Sequence, residues 1–108
     1  MAHVNQDFGD CRDVLIALGD ETRQLIIITL MDIECGQPGK RVLEISKSTH
    51  LSRPAVSHHL KILKDAGIIG VHRLGTMNYY FLDPRSKLFL LKQLIAHIED
   101  VFNVQRNG

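Results

Sequence analysis

The sequence predicts a mainly α-helical chain, five helices with one two-stranded antiparallel hairpin between the fourth and the fifth. Three observations carry that prediction. The stretch LSRPAVSHHLKILKDAG, residues 51–67, opens on a serine and a proline and then separates its apolar and polar residues onto opposite sides of a helix. Immediately after Gly67 the composition changes to the β-branched and aromatic IIGVHRLGTMNYYFLD. Near the end, Leu88, Leu91, Ile95, Ile98 and Phe102 recur at spacings of 3, 4, 3 and 4.

At 108 residues and 44% hydrophobic content, one compact domain spanning 1–108 is expected. A chain this short buries a limited fraction of its surface, so self-association is also expected. The first few residues read as a frayed terminus, and the polar, acidic start MAHVNQDFGD does not read as a signal peptide. CRDVLIALGD gives a short helix with Val14, Leu15 and Leu18 on one side, stopped near Gly19. In DETRQLIIITLMDIE, Asp20 is a candidate N-cap and Glu21 suits the positive end of the helix dipole. The run Leu25 to Ile28 also fits a buried strand, but the cap and the continuation through Leu30, Met31 and Ile33 favour a buried helix. CGQPGK is a turn, and RVLEISKSTH a short helix with Val42, Ile45 and Leu43 inward. A tight connection at Leu51–Ser52 then leads into the quoted segment, which completes a helix-turn-helix outline. Strands are expected at about 69–74 and 77–82, joined at Gly75–Thr76, with Asp83-Pro84 opening the last helix. The apolar seam on that helix packs either on its own chain or on a second copy.

Net charge is only +1, but it is unevenly spread. Between residues 40 and 73, Lys40, Arg41, Lys47, Arg53, Lys61, Lys64 and Arg73 face only Glu44 and Asp65, a local +5 that leaves −4 elsewhere. Such a middle is either a local electrostatic footprint for an acidic partner or an ordinary solvated face. The helix at 53–67 adds detail. At about 100° per residue, Ala55, Val56, Leu60, Ile62, Leu63, Ala66 and Gly67 share one arc, and Arg53, Pro54, Ser57, His58, Lys61, Lys64 and Asp65 the other. His59 falls among the apolar set and is expected to be an inward, hydrogen-bonded imidazole. Ser52 can cap the first turn, where Pro54 costs nothing. In a helix-turn-helix this end meets base edges in the major groove of double-stranded DNA. Arg53 suits guanine; Ser52, Ser57, His58 and Lys61 suit base edges or phosphates; Arg73, Thr76 and Asn78 at the hairpin tip suit the backbone or the minor groove. For Lys64 and Asp65 a solvated role is favoured. Two rivals stand beside DNA binding: a protein–protein interaction module, which predicts an apolar or acidic face, and a hydrolase using His58 and His59. Adjacent helical residues diverge too far to grip one metal, and no nucleophile–base–orienter set is evident, so no enzyme is expected.

Three segments carry a family resemblance. LGDETRQLIIITLM resembles L-x-D-x-T-R-x-x-I-L-x-x-L; LSRPAVSHHLKILKDAGII resembles S-x-x-x-V-S-x-H-L-x-x-L-x-x-A-G-L-V; RLGTMNYYFL resembles R-x-G-x-x-x-Y-Y-x-L. Together, over about residues 14–102, they are similar to the ArsR/SmtB family of bacterial winged helix-turn-helix repressors. The resemblance implies a homodimer joined through the first and last helices, here through Leu91, Ile95, Ile98 and Phe102. It implies an operator with dyad symmetry, and repression relieved by an inducer, commonly a metal ion such as zinc. The metal positions depart from the family pattern. Arg41 and Leu43 stand where a Cys-x-Cys site is usual. On the last helix only His97 and Asp100 remain, with Pro84 and Ser86 at the other ligand positions. Two ligands do not complete a tetrahedral zinc site; two-fold pairing can gather His97 and Asp100 from both chains, which leaves zinc open, but a polar pair at a subunit junction is the favoured reading and no cofactor is assigned. Cys11 and Cys35 form no CxxC and keep a thiol- or metal-responsive sensor open as the alternative. No apolar run is long enough to span a membrane, and a cytoplasmic protein is expected.

Overall fold

The computed structural model describes the backbone of residues 2–107 and the side chains of residues 4–103. In order the elements are α1 (Ala2–Asp10), α2 (Arg12–Leu18), α3 (Glu21–Met31), α4 (Val42–Thr49), α5 (Arg53–Asp65), β1 (Ile69–Leu74), β2 (Met77–Leu82) and α6 (Leu88–Asn107). The hairpin has the expected limits, with Leu74 opposite Met77 and Arg73 opposite Asn78. Gly75 supplies the positive φ, 63°, that a two-residue hairpin turn takes at its first central position.

Three expectations are corrected. The chain is helical from Ala2 onward and not frayed there: α1 runs along α6 and raises the helix count to six among the described residues. Its Gly9 and Asn5 are weak helix formers, so tertiary contact and not propensity holds it. Val4 packs on the core, and Asp7, only 9% exposed, accepts a hydrogen bond from Nδ1 of His97 on α6. The last helix begins at Leu88 and not at Pro84. Asp83 instead starts a turn: its carbonyl accepts from Ser86 N–H at 2.9 Å and its side chain from Arg85 N–H at 2.9 Å. Asp followed by Pro is the favoured start of a type I turn, and it competed with the reading as a helix entry. Finally, α3 is helical as expected but not buried all round. Ile26 and Leu30 are inward, while Leu25, Ile28 and Met31 are exposed. A helical turn cannot direct four consecutive apolar side chains the same way.

One core serves all the elements. Cys11 and Val14 at the α1–α2 junction, Ile26 and Leu30 of α3, Ile45 of α4, Val56, Leu60 and Leu63 of α5, Ile68 and Ile69 entering β1, and Leu94 of α6 form a single buried cluster. Asp20 caps α3 by accepting from Arg23 N–H at 3.0 Å. That backbone hydrogen bond, helped by the charge of Arg23, holds the Asp20 carboxyl below its usual range. Its contribution to stability is therefore present above the unfolded pKa and is lost as pH falls through the lower, folded value.

Residues 39–40 are stapled to β2. Lys40 and Tyr80 exchange backbone hydrogen bonds of 2.8 Å each. Gly39 is required there, because a Cβ would lie 2.4 Å from the Tyr80 carbonyl oxygen. The chain thereby enters α4 at the flank of the hairpin. α4 ends at His50 in a left-handed conformation, φ 58°, and Leu51–Ser52 leads directly into α5. No helix among the described residues is long and apolar enough to cross a membrane.

Candidate nucleic-acid interface

The helix that raised the functional question has the two faces its spacing predicts. Ser52 caps α5 by accepting from Ala55 N–H at 3.2 Å, with Pro54 in the first turn. Val56, Leu60 and Leu63 are fully buried. Arg53, Ser57 and Lys61, four residues apart on one stripe, are exposed, and so are Pro54 and His58 beside them. Burial of the apolar side fixes the rotation of the helix, so the polar stripe is held outward by the core itself. Lys61 pairs with Asp65 at 3.0 Å, but both side chains are mostly in water. An exposed pair of this kind contributes about 0–1 kcal/mol, so Lys61 can exchange it for a phosphate at little cost.

His59 does turn inward, where it is half-buried. Its Nδ1 lies 3.3 Å from a terminal nitrogen of Arg23, and since arginine can only donate, that ring nitrogen accepts. Arg23 itself is 9% exposed. Its Nε donates to the Ala17 carbonyl at 2.8 Å and its other terminal nitrogen to Ile16 at 3.1 Å. One guanidinium thus ties the end of α2 to the back of α5. Sequence reasoning quoted Arg23 without giving it this role; an arginine on the inward face of α3, in register with Ile26 and Leu30, was the available signal. Arg23→Ala takes the Nε donor from the Ala17 carbonyl and the link to His59, and should lower the unfolding free energy by about 2–4 kcal/mol. A urea titration checks this, and an unchanged midpoint would contradict it.

Arg73, Thr76 and Asn78 are exposed on the hairpin. Arg73 and Asn78 are directly paired and continue the face on which Val71 pairs Tyr80 and Ile69 pairs Leu82. Ile69, Tyr80 and Leu82 belong to or pack on the core, so the outer end of that face projects beyond it, as a wing alongside α5.

The other candidate residues are dispersed. His97 is engaged with Asp7 of α1, and Asp100 is exposed further along α6. Arg41 and Leu43 offer no metal donors, and among the described residues no group of three or more His, Cys, Asp or Glu is placed to hold a metal ion. Cys11 is sealed in the core and Cys35 is exposed in the turn after α3. The apolar seam on α6 divides in two. Leu91 and Ile98 pack on their own core together with Leu94, whereas Leu88, Ile95 and Phe102 are exposed at 39%, 47% and 60%. These last three are seven residues apart and form one outward stripe, with the exposed Phe89 beside it and the exposed Phe8 on α1.

Comparison with known proteins agrees with this geometry. Residues 20–71 match the family profile described as "Bacterial regulatory protein, arsR family". The chain is 37% identical to the HTH-type transcriptional regulator MJ1325 of Methanocaldococcus jannaschii, over 69% of this chain and 81% of that protein. It is also 37% identical to the transcriptional repressor SdpR of Bacillus subtilis, over 66% of this chain and 73% of that protein. Among solved structures it resembles the homodimeric winged helix-turn-helix DNA-binding domain Mb0332 of Mycobacterium bovis, with a TM-score of 0.64 and 28% identity over 86% of this chain and 85% of that one. With the capped, amphipathic α5, the wing beside it and the three matching segments in order, the chain belongs to the arsR family of bacterial regulatory proteins, DNA-binding winged helix-turn-helix regulators of transcription.

Proposed function

We propose that this chain is a single-domain cytoplasmic repressor that binds, as a homodimer, a double-stranded operator with dyad symmetry. Each protomer lays the first turns of α5 in the major groove. Arg53 and His58 meet base edges there, Ser52, Ser57 and Lys61 meet bases or phosphates, and Arg73, Thr76 and Asn78 of the wing reach the flanking backbone. The observation that carries the reading is the outward stripe Arg53–Ser57–Lys61, exposed beside His58 while Val56, Leu60 and Leu63 opposite are fully buried. The outward apolar stripe of α6, with Phe8, supports pairing through the first and last helices, and so does the homodimeric state of the Mycobacterium bovis relative. A two-fold dimer presents two equivalent α5 helices about one DNA turn apart, which matches half-sites related by a dyad. The relatives named are transcriptional regulators, and the reading assigns no catalytic residue.

Fluorescence anisotropy on a labelled duplex at rising salt tests this. Affinity should fall steeply and linearly in log–log form, because phosphate contacts release counterions. Lys61→Ala should weaken binding to all sequences alike and reduce the salt slope by about one per protomer. A protein that binds no duplex at low salt would refute the reading.

A further inference from the structure

A groove of about 250 Å³ opens between the start of α4, the start of α5 and the wing tip, with Arg41, Leu43, Arg53, Thr76, Met77 and Asn78 among its walls. Three separate chain segments meet there. Arg53, Thr76 and Asn78 already belong to the proposed interface; Arg41 does not. Its position is nevertheless firmly set. The Lys40–Tyr80 bridge and the contact of Gly39 with Tyr80 deliver it to the base of the wing. Its backbone N–H then donates to the Glu44 carboxylate at 3.2 Å, which engages that carboxylate on the backbone side.

The groove carries positive charge from two elements. Among the described residues the guanidiniums of Arg41 and Arg53, like that of Arg73 on the wing, take part in no ion pair. No carboxylate lines the groove. Two planar cations from different elements lining one groove, together with a hydroxyl and an amide from the wing tip, match the oxygens of a phosphodiester. Arg53, Thr76 and Asn78 are also residues of the proposed DNA face, which favours a strand of that duplex over a free ion as the occupant. We infer that it seats the sugar-phosphate backbone between α5 and the wing, with Arg41 at the start of α4 gripping a phosphate. The inference rests on the DNA-binding reading and adds to it a phosphate contact from the start of α4, at a position where the family's usual cysteine ligand is absent.

The test uses the full chain, a random-sequence duplex, and a second duplex enriched from a randomised pool, each titrated at several KCl concentrations. Arg41→Ala should reduce the slope of log affinity against log salt by about one per protomer, and Arg41→Lys should restore it. The preference for the enriched duplex over the random one should stay as in wild type, because a phosphate contact reads no sequence. Arg41→Gln gives the same reading should the alanine variant melt early. A wild-type slope in Arg41→Ala or Arg41→Gln, alongside a reduced slope in Lys61→Ala, overturns the groove and leaves the DNA reading standing. A wild-type chain with no salt-dependent duplex binding overturns both.

Discussion

Arg53→Ala and His58→Ala should fold and dimerise like wild type, yet bind an enriched operator scarcely better than a scrambled duplex. Both side chains lie in water on the outward side of α5, and removing either leaves Val56, Leu60 and Leu63 in place. The cap from Ser52 to Ala55 N–H survives as well. His58 is exposed, and its ring meets the His59 ring edge-on with centroids 5.4 Å apart, a contact that is lost with it. The loss therefore falls on recognition. A well-placed side-chain contact to a base edge contributes about 1–3 kcal/mol of discrimination, and a two-fold dimer makes each contact twice. Loss of selectivity by roughly two to four orders of magnitude is expected for Arg53→Ala, with residual, salt-sensitive binding to any sequence. Gel shifts with matched enriched and scrambled duplexes measure it. Unchanged selectivity in both variants would remove α5 from the base-reading role.

Ile95→Glu should convert the dimer to a folded monomer. Ile95 is 47% exposed in the single chain, so a glutamate there remains solvated and the monomer tolerates it. In a two-fold pair built on Leu88, Ile95 and Phe102, the same change brings two carboxylates into an apolar contact close to the symmetry axis. Desolvation and like-charge repulsion together cost several kcal/mol, enough to lower dimer affinity by orders of magnitude. Sedimentation at micromolar concentration, with circular dichroism as the check on folding, reads the outcome. Ile98→Glu should behave differently, because Ile98 packs on its own core and its replacement also lowers the melting temperature. An intact Ile95→Glu dimer would place the interface elsewhere. Operator affinity should fall with the dimer, since one half-site alone retains half of the contacts.

Several features were legible because the physics acting on them is local. The faces of α5 follow from spacing alone, since every apolar side chain assigned inward is buried or half-buried. The wing register follows from Gly75–Thr76, where only a two-residue turn fits between the alternating runs. The cap at Asp20 needed only its position before Leu25–Leu30.

Other features depend on partners distant in sequence. Arg23 and His59 are 36 residues apart, and neither announces the other. α1 carries the weak stripe Val4, Phe8 and Cys11, but its helicity depends on α6, which begins some eighty residues later. The 3-4-3-4 repeat of α6 marked one apolar seam, when two were present. Leu94 lies outside that repeat and is the residue most deeply buried against the protomer's own core, which leaves the heptad set Leu88, Ile95 and Phe102 facing out. Sequence alone gives Arg41 a place in the basic stretch 40–73 and no metal-ligating role, but not a specific contact, because the other residues lining its groove come from α5 and the wing.

The placement of α5 in the major groove is tested most directly by methylation interference at guanine N7 on the enriched operator. N7 lies on the major-groove edge, where a bidentate arginine contact is made. Methylated guanines should block wild-type binding in two clusters about one helical turn apart, and Arg53→Ala should lose sensitivity at one guanine in each cluster. Binding indifferent to N7 methylation, or an interference pattern identical in wild type and Arg53→Ala, would contradict it.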